Sequence, residues 1–379
     1  MLQQTKINRA LSTAQQPVLL ETAAQLSAAA DQWNDSPTLG IDTEFVRERT
    51  YRAHLGLIQI SDGHTAWLAD PLALASLDCV AELMNRRETT KILHSCSEDL
   101  EVLLHVLGDL PEPMVDTQIA CAILGQPLQL GYHHAVKWVL DIEIDKDQTR
   151  SNWLKRPLNS NQLRYAAMDV VLLPMMLKDL RTRLEDMGRW EWLEEEVHRM
   201  KRNSLTPVDP ENAYLRFSNT GRMEEPALKV LQALAAWRES TAKNRDLARG
   251  FVISDVGLMK LAQLRPSTPS EIQGIADIHP GALARYQKQL LEIIASAQTS
   301  QTEVARIVEF NNSQKKILNS MRKVIQTQSE EMNIDPALLA SRRELEKLIR
   351  AVSADEAVPE RFLGWRKPVI TEELLQVLS

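Results

Sequence analysis

Along the first half of the chain the apolar positions change period repeatedly. Leu39 to Val46 reads as a buried strand. After a polar connection, Arg47 to Arg52, come two more strands, Leu55 to Ser61 and Thr65 to Ala69, separated by a turn at Asp62-Gly63. Connections this short between consecutive strands predict an antiparallel meander. Leu72 to Arg86 has helical spacing and Lys91 to Cys96 reads as a strand, so helix and strand now alternate as in an α/β layer. The next helix is expected to take Ser97 as its N-cap, run to Leu107 and stop at Gly108. Met114 to Ala120 reads as a short strand, Ile119 to Leu124 and Leu130 to Leu140 as helices. Asn161 to Leu173 is an apolar helix that Pro174 interrupts before Met175 to Glu185.

After a helix over Trp190 to Lys201, the stretch Asn203 to Asn212, with Pro207 and Pro210, reads as a linker. Beyond it strand-like alternation ceases, and Leu228, Leu231, Leu234, Ala235 and Trp237 repeat at helical spacing. A faint internal repeat pairs Ser254, Leu258, Lys260 and Leu261 with Ser341, Leu345, Lys347 and Leu348. The expected division is therefore an α/β domain over 1–205, a linker over 206–219, and two small all-helical domains over 220–300 and 305–379.

Charge separates the two halves further. Residues 1–205 carry 21 Lys and Arg against 29 Asp and Glu, and the remainder 23 against 22. An acidic first half does not attract nucleic acid by bulk electrostatics, so any polyanion it handles must be met by metal ions or a local basic patch. No apolar run approaches the roughly 18 residues that span a bilayer. The first residues lack the order of a signal peptide, so a cytoplasmic protein with no membrane partner is expected. Cys79, Cys96 and Cys121 stand in apolar surroundings and read as reduced thiols.

Against this background the acids Asp42 and Glu44 stand out. Their spacing of two places both on one face of a strand, with Ile41, Thr43 and Phe45 on the other. Strands disfavour Asp, and adjacent carboxylates repel, so the pair calls for a compensating divalent cation or a solvated edge. Asp99 falls in the first turn of its helix, either as an acid favouring the helix dipole or as a third ligand. Asp116 precedes a helix start and is read as a cap. Asp169 stands among Ala166, Ala167, Met168, Val170 and Val171, where a buried carboxylate requires a partner, and Tyr165 lies one turn before it on the same face. Four such acids without interior Lys or Arg would repel unless they shared two divalent cations, and hard oxygen ligands select Mg²⁺ or Mn²⁺. Two ions about 3.5–4 Å apart activate a water, neutralise a phosphate and stabilise a leaving 3′ oxygen. Within Lys146 to Leu158, Arg150, Trp153, Lys155 and Arg156 are either phosphate and base contacts or a surface loop anchored by one aromatic.

At these residues the chain resembles the DEDD superfamily of 3′–5′ exonucleases. Asp42-Thr43-Glu44 resembles the first motif, Ser97-Glu98-Asp99-Leu100 the second and Tyr165-Ala166-Ala167-Met168-Asp169 the third, with Tyr165 marking the tyrosine-type branch. More closely, Asp42-Thr43-Glu44-Phe45-Val46-Arg47, Leu57-Ile58-Gln59 and Arg150-Ser151-Asn152-Trp153-Leu154 are similar to the ribonuclease D family, with Asn152 where that family commonly has Asp. Trp237-Arg238-Glu239 with Phe251-Val252-Ile253-Ser254-Asp255, and Ser341-Arg342-Arg343-Glu344-Leu345 with Leu363-Gly364-Trp365-Arg366, resemble two copies of the HRDC module.

The resemblance implies a ribonuclease H-like α/β fold with a mixed sheet followed by two HRDC domains. It implies a metal-dependent 3′–5′ exoribonuclease that releases nucleoside 5′-monophosphates from structured RNAs with unpaired 3′ tails, such as tRNA precursors. Asp42 would bridge two Mg²⁺ or Mn²⁺ ions, Glu44 and Asp169 would complete the water-activating site, Asp99 would hold the leaving-group site, and Tyr165 would orient the water. Phe45 and His94 are implied contacts to the terminal nucleotide and Lys146 a phosphate contact. In the helical half Arg238, Lys243, Arg245, Arg249, Lys315, Lys316, Arg322 and Lys323 are candidates for RNA contacts or for charged solvated faces. A monomer is expected. The competing readings are a 3′–5′ DNA exonuclease using the same acids and a non-catalytic RNA-binding protein.

Overall fold

A computed structural model describes residues 2–144, 151–218, 220–306 and 308–378. Six strands alternate with helices in the first half: α1 Leu2–Thr13, β1 Val18–Leu20, α2 Ala23–Trp33, β2 Thr38–Val46, β3 His54–Ser61, β4 Ala66–Ala69, α3 Asp78–Asn85, β5 Thr90–Leu93, α4 Ser97–Leu107, β6 Met114–Asp116, α5 Thr117–Ile123, α6 Tyr132–Leu140, α7 Ser160–Val171, α8 Leu173–Asp186 and α9 Trp190–Leu205. The described remainder is helical, with α10 Glu225–Arg245, α11 Arg249–Val252, α12 Asp255–Leu264, α13 Pro269–Gln273, α14 Pro280–Thr299, α15 Asn312–Met332, α16 Pro336–Leu339, α17 Arg342–Ser353 and α18 Glu372–Leu378. Among the described residues no helix is long and apolar enough to cross a membrane. The cysteines form no disulfide; Cys96 and Cys121 are buried and Cys79 is half-buried.

Contacts divide the chain into two compact units whose boundaries cut across the expected ones. One comprises Met1–Val46, His54–Leu205 and Asn312–Ser379, the other Arg47–Ala53 and Thr206–Asn311. The first holds a mixed sheet of order β1-β4-β3-β2-β5-β6. The expected meander is its antiparallel centre, β2-β3-β4, while β5 pairs in parallel with β2 and with β6. Parallel edges joined through helices and an antiparallel hairpin centre are what a mixed α/β layer requires.

Two glycines set how closely the site-bearing elements approach the sheet. A Cβ on Gly40 of β2 would stand 2.4 Å from the carbonyl oxygen of Val170 and 3.1 Å from Cβ of Leu173, so the junction of α7 and α8 rests directly on β2. At Gly56 of β3 a Cβ would stand 2.7 Å from the carbonyl oxygen of Trp153. Leu57, Leu68, Trp153 and Ala166 form a small apolar cluster, with Tyr165 packed against it. Trp153 is 4% exposed, and Arg156 donates to both carboxylate oxygens of Asp70 (2.5 and 2.7 Å) and to the carbonyl of Gly56 (2.6 Å). These two residues, open at the sequence level between RNA contact and anchored loop, are anchors. Lys146 and Arg150 lie outside the described residues.

Local signals hold in part. The helix expected from Leu72 begins only at Asp78, because the stretch before it closes a single turn, with the amides of Ala73 (3.2 Å) and Leu74 (3.0 Å) bonding the carbonyl of Asp70, and then runs on irregularly. Ser97 is the first helical residue and not the cap: Cys96 takes the N-cap position and makes no side-chain capping bond. Asp116 caps α5 as expected, accepting from the amides of Gln118 and Ile119. Its second oxygen and first also accept from the amides of Cys96 (2.9 Å) and Ser95 (3.2 Å), the latter in the left-handed region at φ +60°. One carboxylate thus holds two turns, including the one that launches α4.

Within the same unit the 312–378 helices are fastened to α9 through a buried acid. Glu196, 3% exposed, accepts from Arg361 (2.8 Å), Arg366, Arg199 and the indole of Trp365 (3.1 Å). Trp365 stacks on Trp192 with ring centres 4.3 Å apart. In the second unit, α10, α12 and α14 enclose a core containing Leu228, Leu231, Leu234, Leu258, Leu261, Leu290 and Ile294. Buried Glu239 there accepts from Arg249 through two bonds of 2.6 Å and from the hydroxyl of Tyr51 (2.6 Å). Arg238, 6% exposed, donates to the carbonyl of Ile253 (2.9 Å), and Arg245 donates to the hydroxyl of Tyr286 (2.6 Å). Arg238 is therefore an internal partner, while Arg249, paired with Glu239, keeps 36% of its side chain exposed. Lys315, Lys316, Arg322 and Lys323 are exposed, spaced as one stripe of α15.

Removing one side of a buried ion network leaves the other side desolvated and unpaired. Glu196→Ala is expected to lower stability by about 3–5 kcal/mol in urea unfolding; a loss below about 1 kcal/mol would mean that the arginines find other partners.

Candidate active site

Three elements bring the predicted acids together. β2 supplies Asp42 and Glu44 from one face, immediately before an irregularity in its ladder with β3 between Glu44 and Phe45. α4 supplies Asp99 from its first turn, and α7 supplies Tyr165 and Asp169 one turn apart. α7 begins with a capping box, Asn159 bonding the amide of Gln162 while the Gln162 side chain returns to the amide of Asn159. That start, together with the close approach at Gly40, sets the depth of Asp169 against β2.

Asp42, Glu44 and Asp169 each offer a carboxylate oxygen within 4.8 Å of the other two. Asp99 is buried and accepts a hydrogen bond from the hydroxyl of Thr43. Thr43 lies between the two acids of β2 on the opposite face of the strand, and sequence reasoning assigned it no role.

Burial drives all four carboxyls upward, and repulsion by the other acids adds to it at Asp42 and Glu44. Desolvation is the largest cause at Asp42, followed by the charges of Asp99, Asp169 and Glu44, and its carboxyl titrates well above the usual range. Glu44 is pushed up to about 9 by burial and then by Asp169 and Asp99. Burial raises Asp169 to about 7, opposed by its hydrogen bond with Tyr165, and raises Asp99 to about 6, opposed by the Thr43 hydroxyl. Among the described residues none of the four forms an ion pair with Lys or Arg. The carboxamide of Gln59, paired across the ladder from Asp42, is fully buried, and neither of its polar atoms has a partner among the described residues. Uncompensated hard oxygens beside an orphaned amide fit divalent cations of the Mg²⁺ or Mn²⁺ type.

The neighbours explain how the cluster is held. The ring of Tyr165 lies 6.2 Å from that of Trp153, so the tryptophan of the loop supports the tyrosine. Burial, then the charges of Asp169, Glu44 and Asp42, push the Tyr165 hydroxyl far above its ordinary value, so it stays protonated at neutral pH. The hydroxyl of Tyr132 donates to the carbonyl of Met168 (3.0 Å), a brace on α7 that the sequence did not reveal. Both ring nitrogens of His94 are engaged, Nδ1 with the Thr117 hydroxyl (2.8 Å) and Nε2 with the carbonyl of Leu130 (2.9 Å), and burial lowers its pKa. Only the carbon face of that ring remains for a nucleotide. Phe45 is half-buried, at the end of β2 next to Glu44. At the departure noted in the sequence, Asn152 accepts from the amide of Leu154 (3.1 Å), a turn contact that an Asp would also make.

Comparison with known proteins agrees with this arrangement. Residues 17–185 match the model of a 3′–5′ exonuclease family, 227–294 that of the HRDC domain, and 313–374 that of the ribonuclease D C-terminal HRDC domain. Ribonuclease D of Pseudomonas paraeruginosa is 36% identical over 361 residues, 94% of this chain and 96% of that protein. The chain belongs to the ribonuclease D family. Ribonuclease D of Escherichia coli is 33% identical over 95% of this chain and 98% of its own length. The crystal structure of Escherichia coli RNase D, described as an exoribonuclease involved in structured RNA processing, superposes with a TM-score of 0.88 at 32% identity, covering 96% of this chain and 98% of that one. With the ribonuclease D family comes the enzyme class, a 3′–5′ exoribonuclease, and the α/β exonuclease domain followed by HRDC domains.

The raised carboxyls make the metal-free protein sensitive to pH. Between the unfolded values near 4 and the folded values up to about 9, the native state binds more protons than the unfolded chain, so stability falls as pH rises through this window. With chelator present, the Tm should fall from pH 5 to 9, and Mn²⁺ should raise it more at pH 9 than at pH 6. A thermal-shift series with and without Mn²⁺ checks this, and an equal Mn²⁺ increment at both pH values would contradict it.

Proposed function

We propose that this chain hydrolyses RNA from the 3′ end in a two-metal reaction, releasing nucleoside 5′-monophosphates, and that its substrates are structured RNAs with short unpaired 3′ tails, such as tRNA precursors. The observation that carries the reading is the set Asp42, Glu44, Asp99 and Asp169, with no Lys or Arg paired to it among the described residues and with Tyr165 bonded to Asp169. Two divalent cations held by these carboxylates would supply the charge that neutralises the scissile phosphate and the leaving 3′ oxygen, and would acidify the attacking water.

The protein's own groups do the positioning. Tyr165 donates its proton to Asp169, which leaves its oxygen to accept a hydrogen bond from a water and orient it toward phosphorus. Attack forms a new P–O bond and breaks the bond to the 3′ oxygen of the preceding nucleotide, which takes up a proton. Loss of the hydroxyl would leave the carboxylates in place and the water unaligned. The HRDC segments over 220–300 and 305–379 are read as RNA-binding modules, and the exposed stripe Lys315, Lys316, Arg322 and Lys323 of α15 would meet phosphates.

A hairpin RNA with a 3′ tail and the same-sequence DNA, each with Mg²⁺, Mn²⁺ or EDTA, form the test. Stepwise shortening of RNA, abolished by EDTA and reduced more than about a hundredfold in Asp169→Ala, is expected. Tyr165→Phe should lower kcat about tenfold or more with little change in KM. Faster shortening of DNA would favour a DNA exonuclease, and RNA binding without shortening under any metal would favour a non-catalytic binder.

A further inference from the structure

Gln59 places a carboxamide in the middle of the sheet. It stands in β3 opposite Asp42 on one side and Leu68 on the other, and it is wholly buried. Neither its Nε2 nor its Oε1 has a hydrogen-bond partner among the described residues. A buried amide without a partner carries its full desolvation cost, and folded proteins rarely leave one so. Its surroundings offer few partners. Leu57, two residues earlier and on the same face of β3, packs with Leu68 and with Ala166 of α7 in one apolar cluster. Ser61, two residues later, is already engaged: its hydroxyl donates to the carbonyl of Thr65 (2.7 Å) and accepts from the amide of Gly63 (3.0 Å). The polar group that remains on this face is the carboxylate across the ladder. Directly opposed residues of an antiparallel pair point to the same face with Cβ atoms about 4.5–5.5 Å apart, and a Gln side chain is one methylene longer than an Asp.

We propose that Gln59 is a positioning residue for Asp42: its carboxamide N–H donates to the Asp42 carboxylate when that group serves as a metal ligand, and so fixes the rotation of the carboxylate. This role rests on the two-metal reading above and names the group that aligns one of its ligands. The chemistry suits the task. An amide orients a carboxylate without cancelling its charge, and outer partners of this kind set how well a ligand holds its metal. Lys or Arg at this position would compete with the cations, and a further acid would add to the repulsion already felt at Asp42. Apolar replacements of Gln59 separate a role in folding from a role toward Asp42, because only the second depends on the donor.

The test uses the full chain with Gln59→Met, which keeps the length of the side chain, and Gln59→Leu, which is more compact; neither has a donor. Removing an unpartnered buried amide is neutral or stabilising, so in EDTA both variants should melt at or above the wild-type Tm. Mn²⁺ binding, followed by the EPR signal of the free ion and hence without turnover, should weaken about tenfold or more. On a 3′-tailed hairpin RNA at fixed Mn²⁺, kcat should fall while KM for the RNA holds. Unchanged Mn²⁺ affinity in both variants overturns the proposal. So does a Tm below the wild type in EDTA for both, because the amide would then have its partner within the fold. Mn²⁺ binding that weakens in the variants, in a protein whose wild type shortens no RNA, supports the role of Gln59 and overturns the ribonuclease reading alone. A wild type that binds no Mn²⁺ overturns the two-metal reading and the role of Gln59 with it.

Discussion

The half-buried carboxylates Asp42, Glu44 and Asp169 crowd together with buried Asp99 nearby, and the architecture around them works against the repulsion at Asp42. Each acid is fixed by an element whose position is set elsewhere. The strand carrying Asp42 and Glu44 is central, paired on both sides by β3 and β5. The turn leading to Asp99 is gathered by Asp116, and the helix carrying Asp169 starts at a complete capping box and comes to rest on a position where only glycine fits. A scaffold this determined can hold a charge arrangement that is unfavourable in the metal-free protein and becomes favourable when cations share the oxygens.

The same logic explains the residues around the acids. Trp153, Tyr132 and Thr43 each support a residue of the candidate site or its neighbour: Trp153 lies under the ring of Tyr165, Tyr132 braces the backbone of Met168 just before Asp169, and Thr43 hydrogen-bonds Asp99. Arg156, ion-paired with Asp70, ties the Trp153 turn to the end of β4. The loop that looked like a substrate loop is thus, in its described part, a support for Tyr165.

In the helical part of the chain, buried charge is used for fastening. Glu196 against three arginines and Glu239 against Arg249 and Tyr51 are networks in which every partner is needed to offset desolvation. An arginine that reads as a nucleic-acid contact can therefore have a protein partner instead: a guanidinium that donates in a fixed fork suits a buried carboxylate as well as it suits a phosphate. Among the described residues the lysines and arginine of the α15 stripe meet no such buried carboxylate and remain on the surface.

The amino-acid sequence by itself determined the meander, the helix–strand alternation, the change to an all-helical second half and the singling out of Asp42, Glu44 and Asp169, whose carboxylates the fold brings together. These are legible because side-chain periodicity and a carboxylate in an apolar run are local properties. Tertiary structure decided what local properties cannot: that Thr43 serves Asp99, that Trp153 and Arg156 are anchors, that both nitrogens of His94 are taken up, and that 312–378 packs with the α/β layer rather than apart from it. Each of these depends on which distant residue a side chain meets. A Trp, an Arg or a His carries the same chemistry whether its partner is RNA or protein, and only the folded chain specifies which partner is within reach.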